Sequence, residues 1–470
     1  KDNNEVFGWH PYWMGNAWKN YPFDLLSTIS FFSYKVNPAS GSYTNPDQIL
    51  EWRNTKLIDS AKAKNTRVLL TISSHGRNNN DIFLEDENKW ITLIDSVSTL
   101  INDRNADGVD INFENLPYFK RTEFNRFIKE MRENLDFKLN KKAFISVTLP
   151  ALNGREIYDV REIQKHVDLM VIMGYDYNND IVYQEQGAVA PLQSSESNNL
   201  SLKSTLDFYI NKGLNVSKTI LALPYYGSMW EGKIDNNGEI ESRIERKVTY
   251  SEVMNLMKSE LVFSPSSIPI FDETSMTNYM NFIYPDMTTK EIWFDDDYTL
   301  GKKYDFAISK KLKGVGIWAL GYDNGYRDLW KVIEEKFSTD KIKISDPIAE
   351  MEGYPIKISR YIITNKRVFI ISALFFLFAL VTGIIIILSD WKIRDSILKD
   401  QIIRLIFTLI VFLLITPLTI IVSSFSYSLL NKFGLPPLNI SLLEISIAFI
   451  IGITTFYFIS KIKIGKQHRP

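Results

Sequence analysis

Cysteine is absent from the 470-residue chain, and histidine occurs only four times. The lack of cysteine excludes disulfide bonds, thiolate metal sites and cysteine nucleophiles. A large charge of one sign is also lacking, because 54 basic and 55 acidic residues give a formal net charge of −1. This balance excludes a globally basic nucleic-acid-binding protein, so we expect no nucleic acid partner. The chain is longer than an ordinary single domain, which predicts more than one domain.

The even charge balance hides two regions of opposite sign. Residues 357–470 carry 13 basic and 4 acidic side chains, a net charge of +9, which leaves −10 for residues 1–356. An acidic body followed by a basic, apolar tail predicts a globular domain attached to a membrane.

Three long apolar segments lie in the tail, at residues 368–389, 405–425 and 442–460. The first two contain no charged residue, and the third contains only Glu444. Because about 20 apolar helical residues cross a bilayer core of about 30 Å, each segment is long enough to span it. We predict a linker over residues 336–366 and a membrane domain over 367–470 with these three transmembrane helices.

Basic residues in the short loops predict the orientation of the tail. The loop between spans one and two and the C-terminal end are rich in them, whereas the loop between spans two and three holds only Lys432. The positive-inside rule then predicts a cytoplasmic C-terminus and an extracytoplasmic body. The lack of cysteine and the composition rich in Lys, Asn and Ile suggest a bacterium, so we expect a multi-pass protein of a bacterial cytoplasmic membrane. Four basic residues just before the first span oppose this orientation: Lys357, Arg360, Lys366 and Arg367. The expected partners are the lipid bilayer and membrane proteins that the three spans contact.

The body alternates β-rich runs with helical patterns. The runs are mostly continuous and apolar, as strands covered on both faces require: Val6–Trp13, Ser27–Tyr34, Arg67–Ser73, Gly108–Phe113, Ala143–Leu149, Val167–Tyr175, Thr219–Tyr225 and Gly314–Leu320. Eight strands with intervening helices favour an α/β fold, a (β/α)8 TIM barrel over residues 1–335. The long interval before the last run predicts a small inserted α+β subdomain at residues 228–290.

Polar residues cluster where the predicted strands end, which is where TIM barrels carry their chemistry. Alternation along the fourth run, which continues as DGVDINFEN, places Asp110, Asn112 and Glu114 on one side. A polar layer that only caps the barrel is the alternative interpretation. The sixth run ends at Tyr175 and Asp176. Aromatic residues near other strand ends predict a cleft that stacks sugar rings: Trp9, Phe32, Tyr34, Tyr177 and Trp318.

These motifs resemble glycoside hydrolase family 18, the chitinase-like barrels, over about residues 6–325. Its fourth-strand D-x-x-D-x-D-x-E pattern is matched by Asp107, Asp110 and Glu114, with Asn112 at the third acidic place. SSHG at 73–76 resembles the third-strand serine–glycine motif, and LALPYYG at 221–227 resembles the seventh strand. DGVDINFENLP is most similar to the branch of spore-cortex and other peptidoglycan-directed glucosaminidases.

The resemblance implies retaining, substrate-assisted hydrolysis of an N-acetylated glycan. Glu114 would be the general acid and base, Tyr175 and Asp176 would hold the acetamido group, and Trp318 would lie under that sugar. The resemblance implies no metal or organic cofactor, and no metal-ligand spacing is present in the sequence.

Asn112 departs from the family pattern because the aspartate expected there offsets positive charge on the intermediate. Two functions of different classes therefore stay open. The first is a membrane-anchored hydrolase that cleaves peptidoglycan or a chitin-like polymer. The second is a weakly active or inactive glycan-binding subunit that serves as a scaffold in a membrane complex.

Overall fold

The computed structural model describes residues 4–178, 187–194, 200–234, 240–260, 269–284 and 286–338. Eight parallel strands close into a barrel, which confirms the TIM-barrel prediction. In chain order they are β1 (Glu5–Pro11), β2 (Thr28–Lys35), β3 (Arg67–His75), β4 (Gly108–Glu114), β5 (Phe144–Leu149), β6 (Leu169–Met173), β7 (Thr219–Pro224) and, after an inserted segment, β13 (Gly314–Trp318). Strand β13 closes the ring by pairing with both β7 and β1.

Helices follow the strands. They are α1 (Pro46–Asn54), α2 (Leu57–Ala63), α3 (Arg77–Leu84), α4 (Glu87–Arg104), α5 (Arg121–Leu139), α6 (Val160–His166), α7 (Leu202–Asn211), α8 (Tyr250–Glu260), α9 (Asp297–Ser309) and α10 (Asp328–Phe337). Shorter 3-10 segments occupy Tyr12–Asn20, Tyr118–Lys120 and Val216–Lys218.

Helix α5 illustrates how the pattern of apolar residues determines helix packing. Phe124, Phe127, Ile128, Met131 and Leu135 recur at helical spacing, and all five are fully buried. The Phe127 ring stacks on the ring of Phe113 from β4, with 5.4 Å between ring centroids. The helix therefore covers the outer face of the strand that carries the polar motif.

The strands divide the core into two layers. Outward-facing side chains such as Val109, Ile111 and Phe113 join the large cluster between strands and helices. A smaller cluster fills the interior of the ring: Phe7, Trp9, Leu69, Leu169, Val171, Ile220 and Ala222. Because strand side chains alternate, the polar residues of β4 face this interior.

A five-stranded antiparallel sheet is inserted between β7 and α9. Its strands are β8 (Tyr226–Ile234), β9 (Ile240–Thr249), β10 (Ile270–Asp272), β11 (Thr277–Ile283) and β12 (Thr288–Phe294), in the sheet order β10-β11-β12-β8-β9. Helix α8 lies between β9 and β10 in the chain. The sheet begins at residue 226 and ends at residue 294, slightly outside the interval 228–290 expected from the sequence.

The membrane prediction concerns a different part of the chain. Among the residues that the structure describes, no helix combines the length and apolar character needed to cross a bilayer. The three predicted spans, and the predicted linker beyond residue 338, lie outside the described residues.

Candidate active site

Asp110 lies inside the barrel and is fully buried. Its carboxylate accepts hydrogen bonds from Trp9 Nε1 at 2.8 Å, Thr71 Oγ1 at 3.1 Å and Ser146 Oγ at 2.7 Å. Ser30 Oγ extends this polar layer through a 2.6 Å contact with Thr71 Oγ1. Burial raises the pKa of Asp110 from 3.8 to about 6, although the three hydrogen bonds act in the opposite direction.

Asn112 is the next inward-facing residue of β4 and is 3% exposed. Its Oδ1 is buried and has no hydrogen-bond partner among the described residues. A buried amide oxygen of this kind is costly unless something else donates to it.

Glu114 ends β4 at the mouth of the barrel. Its main-chain oxygen accepts from Gly76 N at 3.2 Å and from Asn80 Nδ2 at 2.6 Å, which fixes the backbone. Its side chain is 33% exposed, and its Oε1 lies 3.6 Å from Nδ1 of His75, the register partner at the end of β3. The carboxyl group can therefore reach a ligand above the barrel.

Tyr175 and Asp176 follow β6 at the same end of the barrel. Burial raises the pKa of Tyr175 well above its ordinary value, with further contributions from the Glu114, Asp176 and Asp110 carboxylates. Asp176 has a left-handed backbone with φ 59°. Its Oδ1 accepts from Tyr226 Oη at 2.8 Å and lies 2.9 Å from Nζ of Lys247.

Lys247 is part of β9 in the inserted sheet and also contacts Glu245 at 2.6 Å. Burial would lower the pKa of Lys247, but the Asp176 and Glu245 carboxylates outweigh this effect and raise it. The ammonium group therefore stays charged. It counters the negative charge of Asp176 at the wall of the site.

Aromatic rings form the floor and one side of the site. Trp318, at the end of β13, is partly exposed and contacts the Phe32 ring edge-on, with 5.0 Å between centroids. Phe32 in turn meets Trp13 at 6.1 Å, and Trp13 is 49% exposed. Beneath Trp318 lies Trp9, at 5.8 Å. Trp13 is thus exposed, whereas Phe32 and Trp318 are each partly buried.

A family model described as "Glycosyl hydrolases family 18" matches residues 6–323, a stretch that contains every element of this site. The chain belongs to this family. The family 18 resemblance and the classification of the chain as a glycoside hydrolase are therefore confirmed.

Curated and solved relatives agree with this assignment. The "Uncharacterized glycosylase YvbX" of Bacillus subtilis is 26% identical over 306 residues, which cover 61% of this chain and 80% of that protein. "Probable chitinase 2" of Drosophila melanogaster is 24% identical over 285 residues, covering 56% and 57% of the two chains. The spore cortex-lytic enzyme SleL of Bacillus megaterium has the same fold, with a TM-score of 0.58, 18% identity and coverage of 72% and 75%.

Three aromatic residues that we expect from the sequence to contact substrate are instead buried in this family 18 barrel. Tyr34 is fully buried, and its hydroxyl donates to the Gly41 carbonyl. A register shift between Phe32 and Tyr34 breaks the alternation of β2 and turns Tyr34 to the outer core. Tyr177 is also buried in the outer core, where it donates to Thr205 Oγ1 at 2.6 Å.

Trp9 requires a similar correction. It is 1% exposed and lies below Trp318, so it is covered from the cleft. Its indole N–H holds Asp110 instead. We therefore assign Trp9 to positioning and not to sugar stacking.

Three residues that the structure brings to the site carry no sequence signal for their contacts. His75 lies within the SSHG segment, but nothing in that segment indicates a contact with Glu114. Tyr226 and Lys247 come from the inserted sheet, and no local pattern connects them to Asp176, which lies at least 50 residues earlier in the chain. Within the described residues, no group of three or more His, Asp or Glu side chains could hold a metal ion.

The raised pKa of Asp110 predicts a pH-dependent loss of stability. The pKa of Asp110 in the folded protein lies above its ordinary value, so the folded state favours the protonated carboxyl group. The free energy of unfolding is therefore highest at acid pH and falls as pH rises through about 6. Between about pH 4.5 and about pH 7.5 this group should lower the free energy of unfolding by about 2 kcal/mol. Urea denaturation of Asp110→Asn should lack this component, whereas Asp47→Asn, on the exposed surface of α1, should retain it. Identical pH dependence in wild type and Asp110→Asn would contradict the assignment.

Proposed function

We propose that the protein hydrolyses a β-linked N-acetylglucosamine-containing glycan with retention of configuration and with the substrate's own acetamido group as nucleophile. The observation that carries this proposal is the arrangement around Glu114. Asp110 on the same strand is sealed inside the barrel, and the position between them is the neutral Asn112. A two-carboxylate retaining mechanism needs a second accessible carboxylate about 5 Å away, and β4 does not supply one.

The first step begins with Glu114 in its protonated form. Glu114 donates its proton to the glycosidic oxygen while the acetamido carbonyl oxygen attacks the anomeric carbon. The bond from that carbon to the leaving group breaks, and a cyclic oxazolinium ion forms. In this proposal Tyr175 and Asp176 hold the acetamido group, and Trp318 supplies an apolar surface for the sugar ring.

The second step returns the proton. The Glu114 carboxylate takes a proton from water as the water oxygen attacks the anomeric carbon and opens the oxazolinium ring. Two inversions at that carbon give net retention. The negative charges of Glu114 and Asp176 favour the cationic intermediate, but the neutral amide of Asn112 adds no charge to them.

The names of two relatives suggest candidate substrates. One is named a probable chitinase and another a spore cortex-lytic enzyme. We therefore infer chitin-like glycan or peptidoglycan as the substrate class. The unpartnered Oδ1 of Asn112 is suited to accept from an acetamido N–H in either polymer.

Asn112 also favours the second candidate function, a weakly active or inactive glycan-binding scaffold. A site without the third acidic residue can bind an N-acetylated sugar through Tyr175, Asp176 and Trp318 while turning it over slowly. Binding of glycan by the wild-type protein without release of product would support this candidate over the hydrolase.

We propose further that three helices near residues 368–389, 405–425 and 442–460 tether the barrel to the outer side of a bacterial cytoplasmic membrane. The support is the length of these apolar segments and the basic loops beside them. The same spans could contact other membrane proteins. This tether would keep the barrel beside the cell-envelope polymer.

The hydrolase proposal predicts that Glu114→Gln strongly slows product release. Loss of the proton donor should lower kcat by at least about 100-fold, because glutamine can bind but cannot donate a proton in this role. The measurement is release of reducing ends from chitooligosaccharides and from purified sacculi, with the anomeric form of the product followed by NMR. Glu130→Gln, on the exposed face of α5, is the matched control and should keep wild-type activity. Equal rates in both variants would overturn the role of Glu114.

Asn112→Asp should increase turnover. A carboxylate about 4 Å from the oxazolinium charge is worth about 4 kcal/mol at an effective dielectric constant of 20. Half of that amount would increase kcat about 30-fold. Steady-state rates across the acid range measure the effect, and the pH profile should change with the rate because a new ionisable group adjoins Glu114. An unchanged rate and profile would count against the placement of Asn112 beside the reacting sugar.

The tether predicts how the chain fractionates. The full chain should stay with membranes after an alkaline carbonate wash, whereas a chain ending at residue 338 should be released. Added protease should digest the barrel in spheroplasts while leaving the C-terminus intact. Release of the full chain by the wash would rule out the three spans.

A further inference from the structure

The end of the barrel opposite the mouth carries a net positive charge. The barrel strands are parallel, so the seven connections that lead from a helix to the next barrel strand all lie at this end, which we call the base. They are residues 21–27, 64–66, 105–107, 140–143, 167–168, 212–218 and 310–313. These connections contain eight lysines and three aspartates, whereas residues 1–356 as a whole carry a charge of −10. The base therefore attracts anions although the body is acidic.

Exposed apolar side chains accompany the lysines of the base. Phe137, on the last turn of α5, is 84% exposed, the largest fraction among the large apolar side chains that the structure describes. Ile308, on the last turn of α9, is 45% exposed. Apolar side chains beside lysines are typical of surfaces that bind a membrane interface. Lysines follow both residues in the chain: Lys138, Lys141 and Lys142 after the phenylalanine, and Lys310, Lys311 and Lys313 after the isoleucine.

The helix dipole alone does not account for this arrangement. Cations near a helix C-terminus are favoured, but the effect falls off within the last turn. Lys142 and Lys313 lie beyond the ends of α5 and α9, and the dipole does not favour the exposure of a phenyl ring. Although Lys142 Nζ lies 3.1 Å from Asp168 Oδ1, its side chain is 74% exposed, so its charge remains accessible.

The two apolar positions lie on different sides of the ring. Helix α5 leads to β5 and α9 leads to β13, and strands β6 and β7 separate these two strands in the barrel. One small anion contacts only one of these positions. A flat surface that covers the base contacts both of them.

A bilayer with anionic headgroups has the chemistry and the extent that the base requires. Lysine side chains are attracted to anionic lipids, and apolar side chains enter the boundary between headgroups and acyl chains. Helix α10, the last helix that the structure describes, also ends at the base, where Lys336 Nζ lies 2.6 Å from Asp305 Oδ1 of α9. The long apolar segments of the tail follow in the sequence. These observations favour lipid over other anionic partners.

We propose that the base of the barrel binds the surface of a bilayer that contains anionic lipid, with Phe137 and Ile308 in the headgroup region and the lysines on the phosphates. The inference goes beyond the proposed tether because it concerns the barrel itself, but it rests on the tether for the choice of lipid. Bound in this way, the barrel presents its mouth, with Glu114, to the side away from the bilayer.

Site-specific quenching in the full chain tests this orientation. The sequence contains no cysteine, so Ser309→Cys carries a single fluorescent label at the base, and Ser40→Cys carries it on the connection after β2 at the mouth. Vesicles of phosphatidylcholine, alone or with an equal part of phosphatidylglycerol, contain a lipid with a nitroxide headgroup that quenches the label. Quenching at residue 309 should be at least about twofold stronger with phosphatidylglycerol and should weaken in about 1 M salt, where the screening length is about 3 Å. Equal quenching in the two compositions, or equal quenching at residues 309 and 40, would overturn the proposal.

Charge variants show whether the lysines cause the binding. Lys142→Gln/Lys311→Gln should reduce the difference between the two vesicles by at least about half in Ser309→Cys protein, since each lysine near an anionic surface contributes to the attraction. The matched control Lys35→Gln/Lys302→Gln removes the same charge from exposed positions outside the base and should retain the difference. The same response in both double variants would overturn the proposal. Shielding of the label that rises with protein concentration in detergent, without lipid, would identify a second copy of the chain as the occupant and would also overturn it.

The alkaline carbonate wash separates this inference from the proposed tether. A full chain that resists the wash but shows no quenching dependent on phosphatidylglycerol would keep the tether and overturn the lipid-binding base. A full chain that the wash releases, yet which shows this quenching with added vesicles, would reject the tether and support the base.

Discussion

A carboxylate buried inside the barrel determines where the residues of the site lie. Asp110 accepts hydrogen bonds from Trp9 on β1, Thr71 on β3 and Ser146 on β5, so four strands meet at one buried group. Such a group is tolerated inside a protein only when its acceptors are satisfied. A shift of β4 by one residue would break all three bonds. The network therefore fixes the register that brings Asn112 and Glu114 to the mouth.

Among the polar residues of the site, Asn112 carries no charge, whereas Glu114 and Asp176 each contact a basic side chain. Glu114 contacts His75 on one side of the barrel mouth, and Asp176 contacts Lys247 on the wall formed by the inserted sheet. Asn112 lies on the same strand as Glu114 and has an unpartnered oxygen. In the proposed mechanism this oxygen is available to accept from an acetamido N–H, but Asn112 adds no negative charge beside the cationic intermediate.

The extent to which the sequence predicted the structure depends on how local each signal is. Alternation along β4 correctly predicted that Asp110, Asn112 and Glu114 share one face, because the strand is regular. Alternation along β2 did not predict the buried position of Tyr34, because nothing in the sequence FFSY indicates the register shift after Phe32. Tyr177 follows the left-handed Asp176, which redirects the chain into the outer core. Lys247 could not be predicted because its contact depends on how the inserted sheet folds over the barrel.

The contacts of Asp176 limit how the inserted sheet can be exchanged between enzymes. Its carboxylate is held by Tyr226 from β8 and by Lys247 from β9, two strands that pair directly. A graft that replaced these strands would therefore remove both of these contacts of Asp176 while leaving the barrel strands in place. A chimaera of this scaffold should therefore keep β8 and β9. Otherwise the new sheet should supply a hydroxyl in place of Tyr226 and a cation in place of Lys247.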